Sequence, residues 1–178
     1  MSIKIISRES QLDLERLFET VFSASEGEQE GRLIGKLAST LAAEIDDSRI
    51  VCIGMFEGEE LVGSVFFTHL ETNQDIQIFM LAPVAVATDS QRKGISRSLI
   101  EFGLKEMRNR GVSVVVTYGD PGYYSGLGFQ SLSEDFIKAP LKLSMPEGWL
   151  GQSLPEEPIP VVDERPECVA EFNDQAYW

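Results

Sequence analysis

The sequence predicts a single mixed α/β domain. Its elements follow one another in the order β-α-α-β-β-β-α-β. Its helical stretches are apolar on one face, as helices laid on a sheet are. A third observation is the segment 112–117, so nearly pure in valine and threonine that a buried central strand is the natural reading.

Each element has its own signal. Residues 2–7 alternate Ile3 and Ile5 with Lys4 and read as a short strand. Over 9–22, Leu12, Leu14, Leu17, Phe18, Val21 and Phe22 recur at helical spacing, with Ser7 or Ser10 as the cap. A second helix over 28–45 rests on Leu33, Ile34, Leu37 and Leu41, with a break expected near Gly31 and Gly35. Strands over 50–56 and 60–69 flank Glu57-Gly58-Glu59 as a hairpin, and 76–86 is a third apolar run. Residues 94–109 repeat Ile95, Leu99, Ile100, Leu104 and Met107, a helix packed on a sheet. Beyond Asp120 the chain turns to Gly, Pro and Tyr, with short strands expected near 128–131 and 141–144. The domain is expected over 1–145, and 146–178 as an acidic, proline-containing extension packed on or near it.

Composition narrows the function. Of 178 residues 43% are apolar and 25% charged, a globular balance that excludes wholesale disorder. Two cysteines, Cys52 and Cys168, and one histidine, His69, exclude a disulfide scaffold and leave no expected metal site. Met1-Ser2-Ile3-Lys4 opens no signal-peptide core, and no stretch nears the ~18 apolar residues of a membrane span, so a soluble, cytoplasmic protein is expected. The net charge of −14 speaks against nucleic acid and anionic lipid as partners. The charge is uneven. Six of the 15 basic residues lie between Arg92 and Arg110 beside two acids, whereas residues 134–178 hold ten acids and three bases. Such a run is usually a solvated helix face; the sharper reading is a bound polyanion.

Pro83 interrupts the apolar run 76–86. Proline cannot donate to a ladder, so it implies a bulge or a place where pairing is given up, both common beside active sites. A polar turn follows, then Gly94 at the mouth of a helix, where first-turn N–H groups and the dipole suit phosphate. Arg92, Lys93 and Arg97 are cations at the end where an isolated helix disfavours them, which a bound anion would explain. Competing motifs fail. There is no G-x-x-x-x-G-K-[ST], and Gly126-Leu127-Gly128 lacks the third glycine of a dinucleotide fingerprint. A serine hydrolase would need His69 as base and a G-x-S-x-G that is absent; His69 reads as a surface or satisfied polar group.

Gln91-Arg92-Lys93-Gly94-Ile95-Ser96 resembles the Q/R-x-x-G-x-G/A acetyl-CoA signature of the GNAT N-acetyltransferase superfamily. The segment from Gly119-Asp120-Pro121-Gly122-Tyr123-Tyr124 to Gly128-Phe129 resembles the later Y-x-x-x-G-F element, in the GDP-x-YY form of the YhbS-like branch. Leu81-Ala82-Pro83-Val84-Ala85-Val86 is similar to that branch's L-x-P-x-A-V strand. The resemblance implies a GNAT-like α/β fold with a mixed, mostly antiparallel central sheet flanked by helices. It implies an acetyl-CoA-dependent N-acetyltransferase acting on a primary amine of a small molecule or peptide.

Carried onto this chain, the resemblance gives Val84, Ala85 and Val86 to the pantetheine arm through their backbone. It gives Arg92, Lys93, Gly94, Ile95, Ser96 and Arg97 to the pyrophosphate. Ser96 departs from the signature, which wants Gly or Ala there. A backbone N–H at Val84 or a neighbour would meet the oxyanion, and Tyr124, four residues before Gly128, would be the general acid. Tyr123 is expected in the core. Where many members carry a basic glutamate this chain has Met80, and Glu71, Asp75, His69, Asp120 or a water chain all stay open. The acidic surface suggests a cationic acceptor, and a homodimer is left open. Two other readings stand beside this one: an acyl-CoA-binding module without turnover, and an acidic interaction protein.

Overall fold

The computed structural model describes residues 1–178. The elements are β1 (Ser2–Ile6), α1 (Gln11–Glu26), α2 (Glu28–Ala43), β2 (Ile50–Glu57), β3 (Glu60–Leu70) and β4 (Ile78–Val86). They continue with α3 (Ile95–Asn109), β5 (Val114–Tyr118), α4 (Pro121–Tyr124), β6 (Gln130–Ser131) and β7 (Trp149–Ser153). All seven strands belong to one mixed, mostly antiparallel sheet in the order β1-β2-β3-β4-β5-β7-β6. The chain divides into two compact units: Met1–Phe67 with Pro83–Gly103, and Thr68–Ala82 with Leu104–Trp178.

In the first unit β1 pairs antiparallel with β2, from Ser2↔Phe56 to Ile6↔Cys52. Leu14, Leu17, Phe18 and Val21 give α1 its buried face, and Phe18 lies against Phe66 of β3 with ring centres 5.8 Å apart. Gly31 and Gly35 do not break α2, as expected of them, but mark where it touches α1. A Cβ on Gly31 would collide with Ser23, and one on Gly35 would lie 2.7 Å from the Glu19 Cβ. Small residues let two helix backbones approach; here they do that rather than end the helix. The same device seats α3. A Cβ on Gly63 of β3 would lie 2.9 Å from Ile95, and one on Gly103 would run into the Phe67 ring. Both cysteines are free, and buried Cys52 shares a 3.2 Å contact with the Ser64 hydroxyl.

The second unit is built around β5, whose Val114, Val115, Val116 and Thr117 are all buried. β5 runs parallel to β4, from Ile78↔Val114 to Leu81↔Thr117, and antiparallel to β7, from Val114↔Ser153 to Tyr118↔Trp149. The strand expected near 141–144 is not formed. Leu143 turns inward, but the segment joins no ladder, and the strand that pairs with β5 is β7. Tyr123, expected in the core, is 43% exposed. Residues 146–178 supply β7 and bury Trp149, Val162, Val169, Phe172 and Trp178. The Trp149 indole N–H donates to the Ile137 carbonyl at 3.0 Å, and Glu71 and Glu167 exchange backbone bonds at 2.9 Å. No helix is long and apolar enough to cross a membrane.

Because β7 separates β5 from β6, a chain ending at Met145 loses two ladders and several buried aromatics at once. Truncating one such aromatic costs roughly 3–5 kcal/mol, about the whole stability of a marginal domain. The expected outcome is a truncated chain without a cooperative thermal transition, measured by circular dichroism. A sharp transition near that of the full chain would show that 146–178 is dispensable.

Candidate functional site

The first unit carries β4's C-terminal half, the polar turn and α3. The parallel ladder's last pair is Leu81↔Thr117, and Pro83 follows two residues later, so β4 continues to Val86 with one backbone donor missing. Val84 is half-buried, while Ala85 and Val86 are buried. The Gln91 side-chain amide donates to the Val86 carbonyl at 3.0 Å and ties the turn to the end of the strand.

The turn itself is left-handed twice. Arg92 has φ 63° and Gly94 φ 77°. A left-handed arginine costs about 1 kcal/mol or more and persists only where its surroundings require it. Such alternation in a turn directs successive N–H groups into a concavity that suits an anion. The helix ladder of α3 begins with Ser98 N donating to the Gly94 carbonyl at 3.0 Å. Ile95, Ser96 and Arg97 therefore form the first turn, where N–H groups and the positive dipole end are presented. A Cβ on Gly94 would meet no atom within 4 Å, so there is open space at the mouth of the helix. Arg92, Lys93 and Arg97 are exposed there, with no acidic residue in the helix's first turn. Arg97 also pairs with Glu101 at 2.8 Å.

Arg108 and Arg110 belong elsewhere. A 15-residue helix is about 22 Å long, and Arg108 sits in its last turn, donating to the Leu154 carbonyl at 3.3 Å. The positive segment read from the sequence is thus two groups, and three of its six cations stand at the helix mouth.

Tyr124 lies in the second unit, at the end of α4. Asp120 caps this short helix, its Oδ1 accepting from Gly122 N at 2.9 Å, and Tyr124 N donates to the Asp120 carbonyl at 3.1 Å. The ring packs edge-to-face on Phe129 and on Tyr123, at 5.6 and 5.1 Å between centres. Gly119 permits this, since a Cβ there would lie 2.7 Å from Tyr124 Cε2. Burial pushes the phenol up from 10.0 to about 12, and its hydrogen-bond partner is the Thr117 side chain. Thr117 Oγ1 in turn donates to the Leu81 carbonyl at 2.7 Å. A hydroxyl has one proton, so the phenol is the donor in the bond it shares with Thr117. The sequence reading did not single out Thr117; its one signal was a polar residue closing an apolar strand.

Met80 is 1% exposed, in the interior of β4. Of the groups left open as base, His69 is half-buried with its ring 5.3 Å from that of Phe79. Glu71 is held by its backbone bridge to Glu167, Asp75 is exposed, and Asp120 is the cap of the tyrosine's own helix.

Residues 2–132 match the family model described as "Acetyltransferase (GNAT) domain". Among curated proteins, the chain is 35% identical to the uncharacterized N-acetyltransferase YhbS of Escherichia coli (strain K12) over 72 residues, 40% of this chain. The match spans 43% of that relative's length. It is 28% identical to the uncharacterized N-acetyltransferase YjhQ of the same organism over 130 residues, 69% of this chain and 71% of that protein. Among solved structures, YhbS from Escherichia coli in complex with CoA superimposes with a TM-score of 0.79 at 22% identity, covering 98% and 92% of the two chains. A GNAT family acetyltransferase from Brucella melitensis in complex with acetyl-CoA gives 0.68 at 19% identity, covering 97% of each. The protein belongs to the GNAT acetyltransferase family.

Proposed function

We propose that the protein is an acetyl-CoA-dependent N-acetyltransferase that acetylates a primary amine of a small molecule or peptide by direct attack. The observation that carries this is the turn at the mouth of α3: two left-handed residues, three exposed cations and open space at Gly94. These features fit a pyrophosphate. The relatives, N-acetyltransferases by name, and the CoA complexes of the structural neighbours support the same reading, and a cytoplasmic location is part of it.

In this reading the cosubstrate supplies an activated acetyl thioester. The main chain of Arg92, Lys93, Gly94, Ile95, Ser96 and Arg97 holds its phosphates. The backbone of Val84, Ala85 and Val86 lies along its pantetheine arm, with one acceptor position of Val86 already taken by Gln91. The acceptor nitrogen attacks the carbonyl carbon, an N–H near Val84 stabilises the oxyanion, and the carbon–sulfur bond breaks. The Tyr124 O–H turns from Thr117 to the departing thiolate and protonates it, and the one surplus proton of the nitrogen passes through water to the phenolate. An acyl-CoA-binding module without turnover is the second reading, and the buried Met80 is the observation that favours it.

Three measurements test this. Acetyl-CoA is expected to raise the melting temperature of the wild type and not of Gly94→Asp, which sets a carboxylate where phosphate must lie. The variant itself should fold, because its Cβ enters open space and the left-handed strain is about 1 kcal/mol. An equal rise in both proteins would put the cofactor elsewhere. Tyr124→Phe keeps the ring and is expected to lower kcat by roughly 100-fold or more with acetyl-CoA binding little changed. With the phenol at about 12, its own deprotonation brings no loss of rate between pH 7 and 10; a fully active Tyr124→Phe would remove Tyr124 from the mechanism. Finally, the −14 net charge steers a cationic acceptor, so kcat/KM should fall as salt is raised. A salt-independent kcat/KM, or an anionic best substrate, would defeat that part of the reading.

A further inference from the structure

A cavity of about 520 Å³ opens within the second unit, directly after β5. Its walls are Tyr118, Tyr177 and Trp178, and two carboxylates, Asp120 and Glu147, stand on its lining with no basic side chain among them. The volume is that of a small-molecule site. Its aromatic wall is fixed in advance. The Tyr118 ring stacks on Trp178 at 6.3 Å and 18°, and the Tyr118 hydroxyl accepts from Met145 N at 2.7 Å while sharing a 3.1 Å bond with the Ser144 hydroxyl. The buried Trp178 indole N–H donates to the Phe172 carbonyl at 2.9 Å. A wall that needs no ordering when a ligand arrives loses little affinity to entropy.

The cavity also shares a wall with the tyrosine. Gly119 and Asp120 line it, and the same Gly119 receives the Tyr124 ring while the same Asp120 caps Tyr124's helix. Aromatic side chains beside two exposed carboxylates, with no basic side chain on the lining, favour a cation carrying an apolar body over an anion. From this juxtaposition we infer that the cavity bounded by Tyr118, Trp178, Asp120 and Glu147 is the acceptor pocket, and that it takes a monocationic primary amine with an apolar or aromatic body. This rests on the transferase reading for its role, but the binding itself does not depend on turnover. The ammonium binds, loses one proton to water to become the attacking amine, and then reacts as above. The balance is ammonium plus acetyl thioester giving amide, thiol and one released proton.

The test is a calorimetric titration of the full chain, without CoA, with 2-phenylethylammonium, 2-phenylethanol and 3-phenylpropionate. The Trp178 indole N–H signal is followed in parallel by NMR. The ammonium is expected to bind and shift that signal, the alcohol to bind about tenfold more weakly, and the carboxylate not to bind. Glu147→Gln should weaken the ammonium about tenfold, and Ala176→Trp, which fills the cavity from an exposed position, should abolish binding. In both variants the melting transition should stay sharp and its shift with CoA unchanged. No binding of the ammonium at millimolar concentration, equal binding of ammonium and carboxylate, or unaltered binding in both variants would overturn the assignment. A wild type that binds the ammonium but shows no shift with CoA would sink the transferase reading and leave the pocket standing.

Discussion

The Thr117 hydroxyl is the constraint on which the second unit depends. It is buried, it donates to the Leu81 carbonyl at 2.7 Å, and it closes the parallel ladder between β4 and β5. Because a buried hydroxyl without a partner costs about 1–3 kcal/mol, this bond fixes the strand end rather than merely decorating it. Everything after it is counted from there. Tyr118 presents its ring to the cavity, Gly119 leaves room for Tyr124, Asp120 caps the next helix, and Tyr124 folds back so that its phenol meets Thr117 again. Eight residues thus form a closed loop of hydrogen bonds and ring contacts. A one-residue slip would lose all of it, since alternate side chains on a strand face opposite ways.

Much of the fold is legible in the sequence because its signals are local. The strand pattern of 50–56 and 60–69, the helical period of α3 and the valines of β5 each announce themselves within a few residues, and the structure forms elements there. The turn at the mouth of α3 is legible for the same reason: a proline, a polar turn and a glycine lie in a single segment. What escaped reading is long-range. Leu141 and Leu143 alternate as a strand would, yet no ladder takes them up, whereas Trp149-Leu150-Gly151-Gln152-Ser153 has no alternation and becomes a strand between β5 and β6. An interior strand needs no polar face, so its pattern is set by partners about twenty to forty residues away in the chain. Gly31 and Gly35 misled for a related reason. Alone they read as helix breakers, and only the neighbouring helix turns them into a close contact.

The turn at the mouth of α3, proposed for the cofactor, was legible in the sequence, and the cavity proposed for the acceptor was not. The turn is made of consecutive residues, so Arg92 to Arg97 stand together in sequence and in space. The cavity joins Tyr118 to Glu147 and to Trp178, residues that no spacing rule connects. Charge was legible only in bulk. The sequence shows an excess of bases between Arg92 and Arg110, but helix geometry sends Arg108 to the far end of α3, where its role is to bind the Leu154 carbonyl.

The raised phenol of Tyr124 and the methionine at position 80 bear on the same step of the proposed reaction. Handing a proton from a group at about 12 to a free thiolate at about 8.5 is uphill by roughly 5 kcal/mol if nothing else happens. The transfer is therefore not an isolated step. As the carbon–sulfur bond breaks, the nitrogen of the adduct becomes acidic, and its proton loss to water returns the missing free energy. In the proposed reaction Tyr124 acts while sulfur is still parting from carbon, as a hydrogen-bond donor that becomes a proton donor, and no phenolate accumulates. Burial serves this by keeping the phenol protonated at every working pH. Nor does the nitrogen need a strong base on the strand, because once the thioester is attacked its protons are acidic enough for water to accept. Under this sequence of events Met80 is an apolar side chain filling the interior of β4, and the step that a glutamate would otherwise assist falls before attack, when the ammonium first gives up a proton.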